Sequence, residues 1–137
     1  MKYAKTLALS LLLQIITFSL SAQVPNCKSV QTGSFKVSSP ESGTTYIKRT
    51  KTQQIEKNDD LGYEVLFEVT WIDECTYELR PKKLIKGDPS IMGDGSSYVR
   101  TKMKNITAKG YTAEITSSFS EEVMEFVVEI VREKEKQ

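Results

Sequence analysis

The stretch EVLFEVTWIDECTYELRPKK, residues 64–83, decides how this chain folds. Val65, Phe67, Val69 and Trp71 point one way, and Glu64, Glu68 and Thr70 point the other. That period of two belongs to a half-buried strand. Beyond IDEC the alternation resumes, with Cys75, Tyr77 and Leu79 on one face and Thr76, Glu78 and Arg80 on the other. Two such runs around a short polar piece predict a β-hairpin, with Asp73 and Glu74 in a solvated turn that does no chemistry.

The same period recurs outward from the hairpin. Phe35 and Val37 alternate with Ser34 and Lys36, and Tyr111, Ala113 and Ile115 alternate with Thr112, Glu114 and Thr116 after Lys109-Gly110. Met124, Phe126, Val128 and Ile130 fall at spacing two around Glu125 and Glu129, which predicts a closing strand. The polar segment YIKRTKTQQIE, residues 46–56, has only Ile47 and Ile55 to bury, so it reads as an edge strand or two short ones. Gly87, Pro89, Gly93 and Gly95 mark residues 86–97 as the longest loop.

Six to eight antiparallel strands with short turns imply an all-β domain that must close or cover its edges. The expectation is a single antiparallel meander forming a small barrel, lipocalin-like in outline. The alternative is a two-layer β-sandwich, because turn spacing does not separate a closed sheet from two packed ones.

Lys2 and Lys5 precede a mostly apolar stretch at residues 7–20 that ends in small residues. This pattern predicts a signal peptide over residues 1–22 and an exported protein, periplasmic or secreted. The 137-residue chain less those 22 leaves 115, the size of a single all-β domain over 23–137. Without Lys2 and Lys5 the formal charge of +1 becomes −1, so no global field recruits nucleic acid or an anionic membrane. No later segment reads as a membrane span.

Cys27 and Cys75 are an even pair in an oxidising compartment, and a disulfide is the expected outcome. The chain contains no histidine and no CxxC spacing, which removes the usual zinc ligands, the thioredoxin-like motif and the base of a Ser-His-Asp arrangement. Neither a GxSxG nor a GxxxxGK sequence is present. The expectation is a noncatalytic protein without cofactor or metal. Asp88, Asp94 and Ser96 lack the dense acids and final glutamate of an EF-hand loop.

Residues 80–109 carry eight basic groups against Asp88 and Asp94. Arg100, Lys102 and Lys104 share one face of a strand and form a candidate anion-binding stripe, unless Glu114, Glu125 or Glu129 on neighbouring strands pairs with them. Phe67, Trp71, Tyr77 and Met103 are candidate lining residues for an apolar pocket, unless they simply fill the core. Two functions follow: a monomeric binding module for a small apolar ligand or a cell-envelope partner, or a structural protein of the envelope with no pocket.

Asn26-Cys27-Lys28, Thr32-Gly33-Ser34-Phe35-Lys36, Trp71 with Glu74-Cys75-Thr76-Tyr77-Glu78-Leu79, and Lys102-Met103-Lys104 before Tyr111 together resemble a family of short exported bacterial proteins. Its members often carry the label DNA topoisomerase IV. A type II topoisomerase needs an ATP-binding domain, a tyrosine-bearing cleavage domain and metal-binding acids, which 115 exported residues cannot hold. The resemblance therefore implies no activity. It does support pairing Cys27 with Cys75, since both fall in its two best motifs.

Overall fold

A computed structural model describes residues 25–132, so the segment read as a signal peptide lies outside the described residues. The strands are β1 (Gly33–Ser39), β2 (Gly43–Arg49), β3 (Gln53–Asn58), β4 (Tyr63–Trp71), β5 (Thr76–Lys86), β6 (Val99–Lys104), β7 (Gly110–Ser117) and β8 (Ser120–Ile130). Each pairs antiparallel with the next, and β8 returns to β1, giving one closed meander barrel of eight strands. The sandwich alternative is thereby excluded. Closure joins the two strands that an open sheet would leave as its edges.

The opening stretch is the β4–β5 hairpin. Trp71 faces Tyr77, Val69 faces Leu79, and the backbone reverses through residues 72–75. The Asp73 carboxylate accepts from the Cys75 N–H at 2.8 Å, the side-chain contact that fixes this turn. Pro81 sits in β5 opposite Phe67, at a register irregularity of the β4–β5 ladder. β5 pairs with β6 only from Thr76 to Leu79, so by Pro81 it has parted from that neighbour.

Residues 46–56 fall in two short strands, as one of the two expected readings had it, but neither is an edge. They belong to β2 and β3, each paired on both sides, and only Ile47 of the two isoleucines lies on the inward register. Polar residues fill the inward positions of β3 instead: Gln54, Glu56 and Asn58. Counting apolar residues could not reveal a strand whose interior face is polar.

One end of the barrel is closed. A 3-10 turn at Cys27–Val30 precedes β1 and buries Val30 to 1 % exposure beneath the strands. The disulfide joins Cys27 of this turn to Cys75 of the β4–β5 turn, with a Cα–Cα distance of 5.1 Å. Gln31 reaches the same turn, donating from Nε2 to the Glu74 carbonyl at 3.0 Å. At this end Gly110 opens β7 with φ of +155°, and a Cβ there would lie 1.9 Å from the Val128 carbonyl oxygen. Only glycine lets β7 start so close to β8.

The other end is open. The β1–β8 seam consists of two residue pairs, Phe35 with Ile130 and Lys36 with Glu129, all near the closed end. Beyond them β8 diverges from β1. That divergence explains why Met124, on the inward register as its spacing predicts, is 41 % exposed. The longest loop among the described residues, between β5 and β6, lies at this open end and contains a second 3-10 turn, Pro89–Met92.

Candidate functional site: the barrel cavity

Inward side chains from all eight strands surround a cavity of about 270 Å³. Val37, Phe67, Leu79, Val99, Ile115 and Phe126 give it a largely apolar wall. An eight-stranded barrel has an interior just wide enough for its own side chains or for one small ligand. Here both occur: large side chains fill the closed end, and the space above them is left free.

The floor is built on Arg49, 2 % exposed and the last residue of β2. Its Nε donates to the Gln31 carbonyl at 2.9 Å, and Nη2 donates to the Val30 carbonyl at 2.8 Å, which ties the 3-10 turn to the barrel. Nη1 donates to the Tyr77 hydroxyl at 2.7 Å and to Gln54 Oε1 at 3.0 Å, while Nη2 also reaches the Tyr111 hydroxyl at 3.0 Å. The guanidinium carbon lies 4.6 Å from the centroid of the Phe35 ring. A buried guanidinium is tolerable only when its charge is compensated and its donors are used, and this one meets carbonyls, hydroxyls and an aromatic ring. Burial pushes the Tyr77 hydroxyl far above its ordinary pKa, so it stays neutral.

Above the floor, β3 brings a carboxylate into the cavity wall. Glu56 Oε1 accepts from Gln54 Nε2 at 2.7 Å. Gln54, 1 % exposed, thus relays between Arg49 and Glu56, its oxygen toward the cation and its NH₂ toward the anion. Desolvation raises the Glu56 pKa above the usual glutamate value, opposed by the Gln54 hydrogen bond and by Arg49. Glu56 is the one formally charged residue in the cavity lining among the described residues.

Asn58, wholly buried, secures the open end. Its Nδ2 donates to the Ser42 carbonyl at 2.8 Å and to Thr45 Oγ1 at 3.0 Å, and its Oδ1 accepts from the Leu61 N–H at 2.8 Å. One side chain thereby joins the β1–β2 and β3–β4 loops. Leu61 and Phe119, on loops at this end, are 56 % and 71 % exposed.

Of the residues singled out from sequence, Phe67 and Tyr77 line the cavity. Trp71 and Met103 pack in the core at the closed end. The Trp71 ring lies 5.0 Å from that of Tyr77, and its Nε1 donates to the Lys51 carbonyl at 3.0 Å. Cys27 and Cys75 form the expected bond.

The basic stripe does share one outward face of β6, but its two ends are occupied. Arg100 donates from Nε to Glu78 at 3.1 Å, and Lys104 pairs with Glu114 and with Glu125, the latter at 3.2 Å. Lys102 has no ion-pair partner among the described residues. In the long loop, Asp88 caps the Ser90 N–H and Asp94 the Ser96 N–H, both as local turn acceptors.

Sequence reasoning missed Arg49, Gln54, Glu56 and Asn58. The signal present was their even spacing, 54, 56 and 58 along one strand, but a period-two polar face is read as facing solvent. Comparison with known proteins finds no matching family model, no matching curated protein and no matching solved structure.

Proposed function

We propose that this is a noncatalytic binding domain that takes a small, mainly apolar molecule into the barrel. The observation that carries the reading is the cavity of about 270 Å³ above a fully bonded floor. Its size lies near the lower end of ligand sites, roughly 300–1,000 Å³, which suits a small molecule better than a lipid with full-length chains. Noncatalytic action is favoured by the wall itself: its one carboxylate has no histidine, lysine or second carboxylate beside it among the described lining residues. The disulfide supports export to the periplasm or beyond, since such bonds persist in oxidising compartments. No helix in the described residues is long and apolar enough to cross a membrane. We take the working form to be a monomer.

Titration with 1-methylnaphthalene, followed by its own fluorescence, tests the reading. Saturable binding at one molecule per chain is expected, and Ala113→Phe, which adds bulk to the cavity wall, should abolish it while the circular dichroism spectrum stays that of a β protein. Unsaturable partitioning in the wild type would favour the second reading, a structural or interaction protein of the cell envelope. Val123 and Val127, 59 % and 70 % exposed on β8, are the observation that favours that alternative.

A further inference from the structure

Resting on the cavity reading, we infer that the ligand carries a protonated amine and that Glu56 receives it. Glu56 lines the cavity, and its Oε1 is held by Gln54, whereas Oε2 accepts no hydrogen bond from the described residues. The obvious internal partner is Arg49, but each of its three nitrogens already donates to the floor. Gln54 cannot turn to offer more, because Arg49 fixes its oxygen and thereby directs its NH₂ to Oε1. The carboxylate therefore has one oxygen satisfied by the protein and one left for the contents of the cavity.

The rest of the wall narrows the chemistry. With Glu56 in the wall and the Arg49 donors already spent on the floor, a ligand carboxylate or phosphate would meet a like charge and no free cation. A neutral alcohol would satisfy Oε2, but a charge-assisted bond from an ammonium is stronger and also offsets the cost of keeping Glu56 ionised away from water. Tyr63, Phe67 and Phe126 border the same space, and their ring faces accept a cation where they would not attract an anion. The ligand class is thus a small primary or secondary amine on an apolar body, such as an arylalkylamine.

Four probes with one aromatic body test this at neutral pH: 1-methylnaphthalene, 1-naphthylmethanol, 1-naphthylmethylamine and 1-naphthoic acid. In the wild type the amine should bind at least about tenfold more tightly than the alcohol, a difference of about 1.4 kcal/mol, and the acid should bind most weakly. Glu56→Gln, with folding checked by thermal melting, should bring amine and alcohol to within about threefold of each other. The wild-type ranking alone decides the matter should the variant not fold. Equal affinity for amine and alcohol, or preference for the acid, overturns the amine assignment and leaves the cavity reading standing. Failure of all four probes to bind overturns both.

Discussion

Arg49 and Tyr77 are joined by a 2.7 Å hydrogen bond between β2 and β5, strands that do not pair with each other. Through this bond and those to Val30, Gln31 and Tyr111, one side chain gathers the 3-10 turn and three strands into the closed end. Replacing Arg49 with alanine leaves two backbone carbonyls, two hydroxyls and Gln54 Oε1 buried without their donor. The expected loss is about 3–5 kcal/mol in denaturant unfolding, as for breaking other buried charge networks. Arg49→Lys should recover only part of it, because one ammonium cannot reach partners on opposite sides of a planar guanidinium.

The Cys27–Cys75 bond spans 48 positions and attaches the 3-10 turn to the β4–β5 hairpin. The Cys27→Ser, Cys75→Ser double variant should lose about 4 kcal/mol on the chain-entropy account of loop closure. Nonreducing mass spectrometry of the wild type should find it lighter than its reduced form by two hydrogen atoms. Two free thiols in protein purified from an oxidising compartment would contradict the structure.

Glu56 makes stability depend on pH in a direction opposite to that of most paired carboxylates. Its pKa in the folded state lies above the ordinary value of 4.5, so the folded chain holds its proton more tightly than the unfolded chain. Between the two values the native state binds more protons, and its contribution to stability falls as pH rises. Groups that face it are Arg49 from β2, Tyr63 from β4 and Gln54 on its own strand. Glu56→Gln should therefore be more stable than the wild type at neutral pH, with the advantage vanishing below about pH 4.5. Paired urea titrations at neutral and acid pH would show it, and an equal difference at both would contradict the sign.

Asp73 and Glu74 are adjacent in the hairpin turn and do different work. Asp73 accepts from the Cys75 N–H, which lowers its pKa, so its stabilising contribution is present near neutrality and lost as pH falls through that lowered value. Glu74 makes an exposed ion pair with Lys28 at 3.2 Å. Asp73→Ala should lower the denaturation midpoint and Asp73→Asn, which keeps an acceptor, should lower it less. Glu74→Gln should leave it unchanged. None of the three should alter probe binding in the cavity, since the turn lies at the closed end.

What residues 64–83 dictated by themselves was local: a hairpin, its turn, and which side chains face inward, because strand alternation is an intrinsic consequence of backbone geometry. The same logic made β1, β7 and β8 legible, and the Cys27–Cys75 bond was expected from an even count of cysteines read together with the expected compartment. Closure into a barrel was a tertiary decision. It depends on eight strands tilting enough for β8 to meet β1 through Phe35 and Lys36, and no single strand encodes that meeting. Closure also reversed the meaning of the most polar stretch. Arg49, Gln54, Glu56 and Asn58 look solvent-facing in a sequence, since burying each alone costs several kcal/mol, about 2–7 for an unpaired amide. Only the assembled barrel supplies their partners from β2, β5, β7 and the 3-10 turn, and so only the tertiary structure could place a carboxylate inside the cavity.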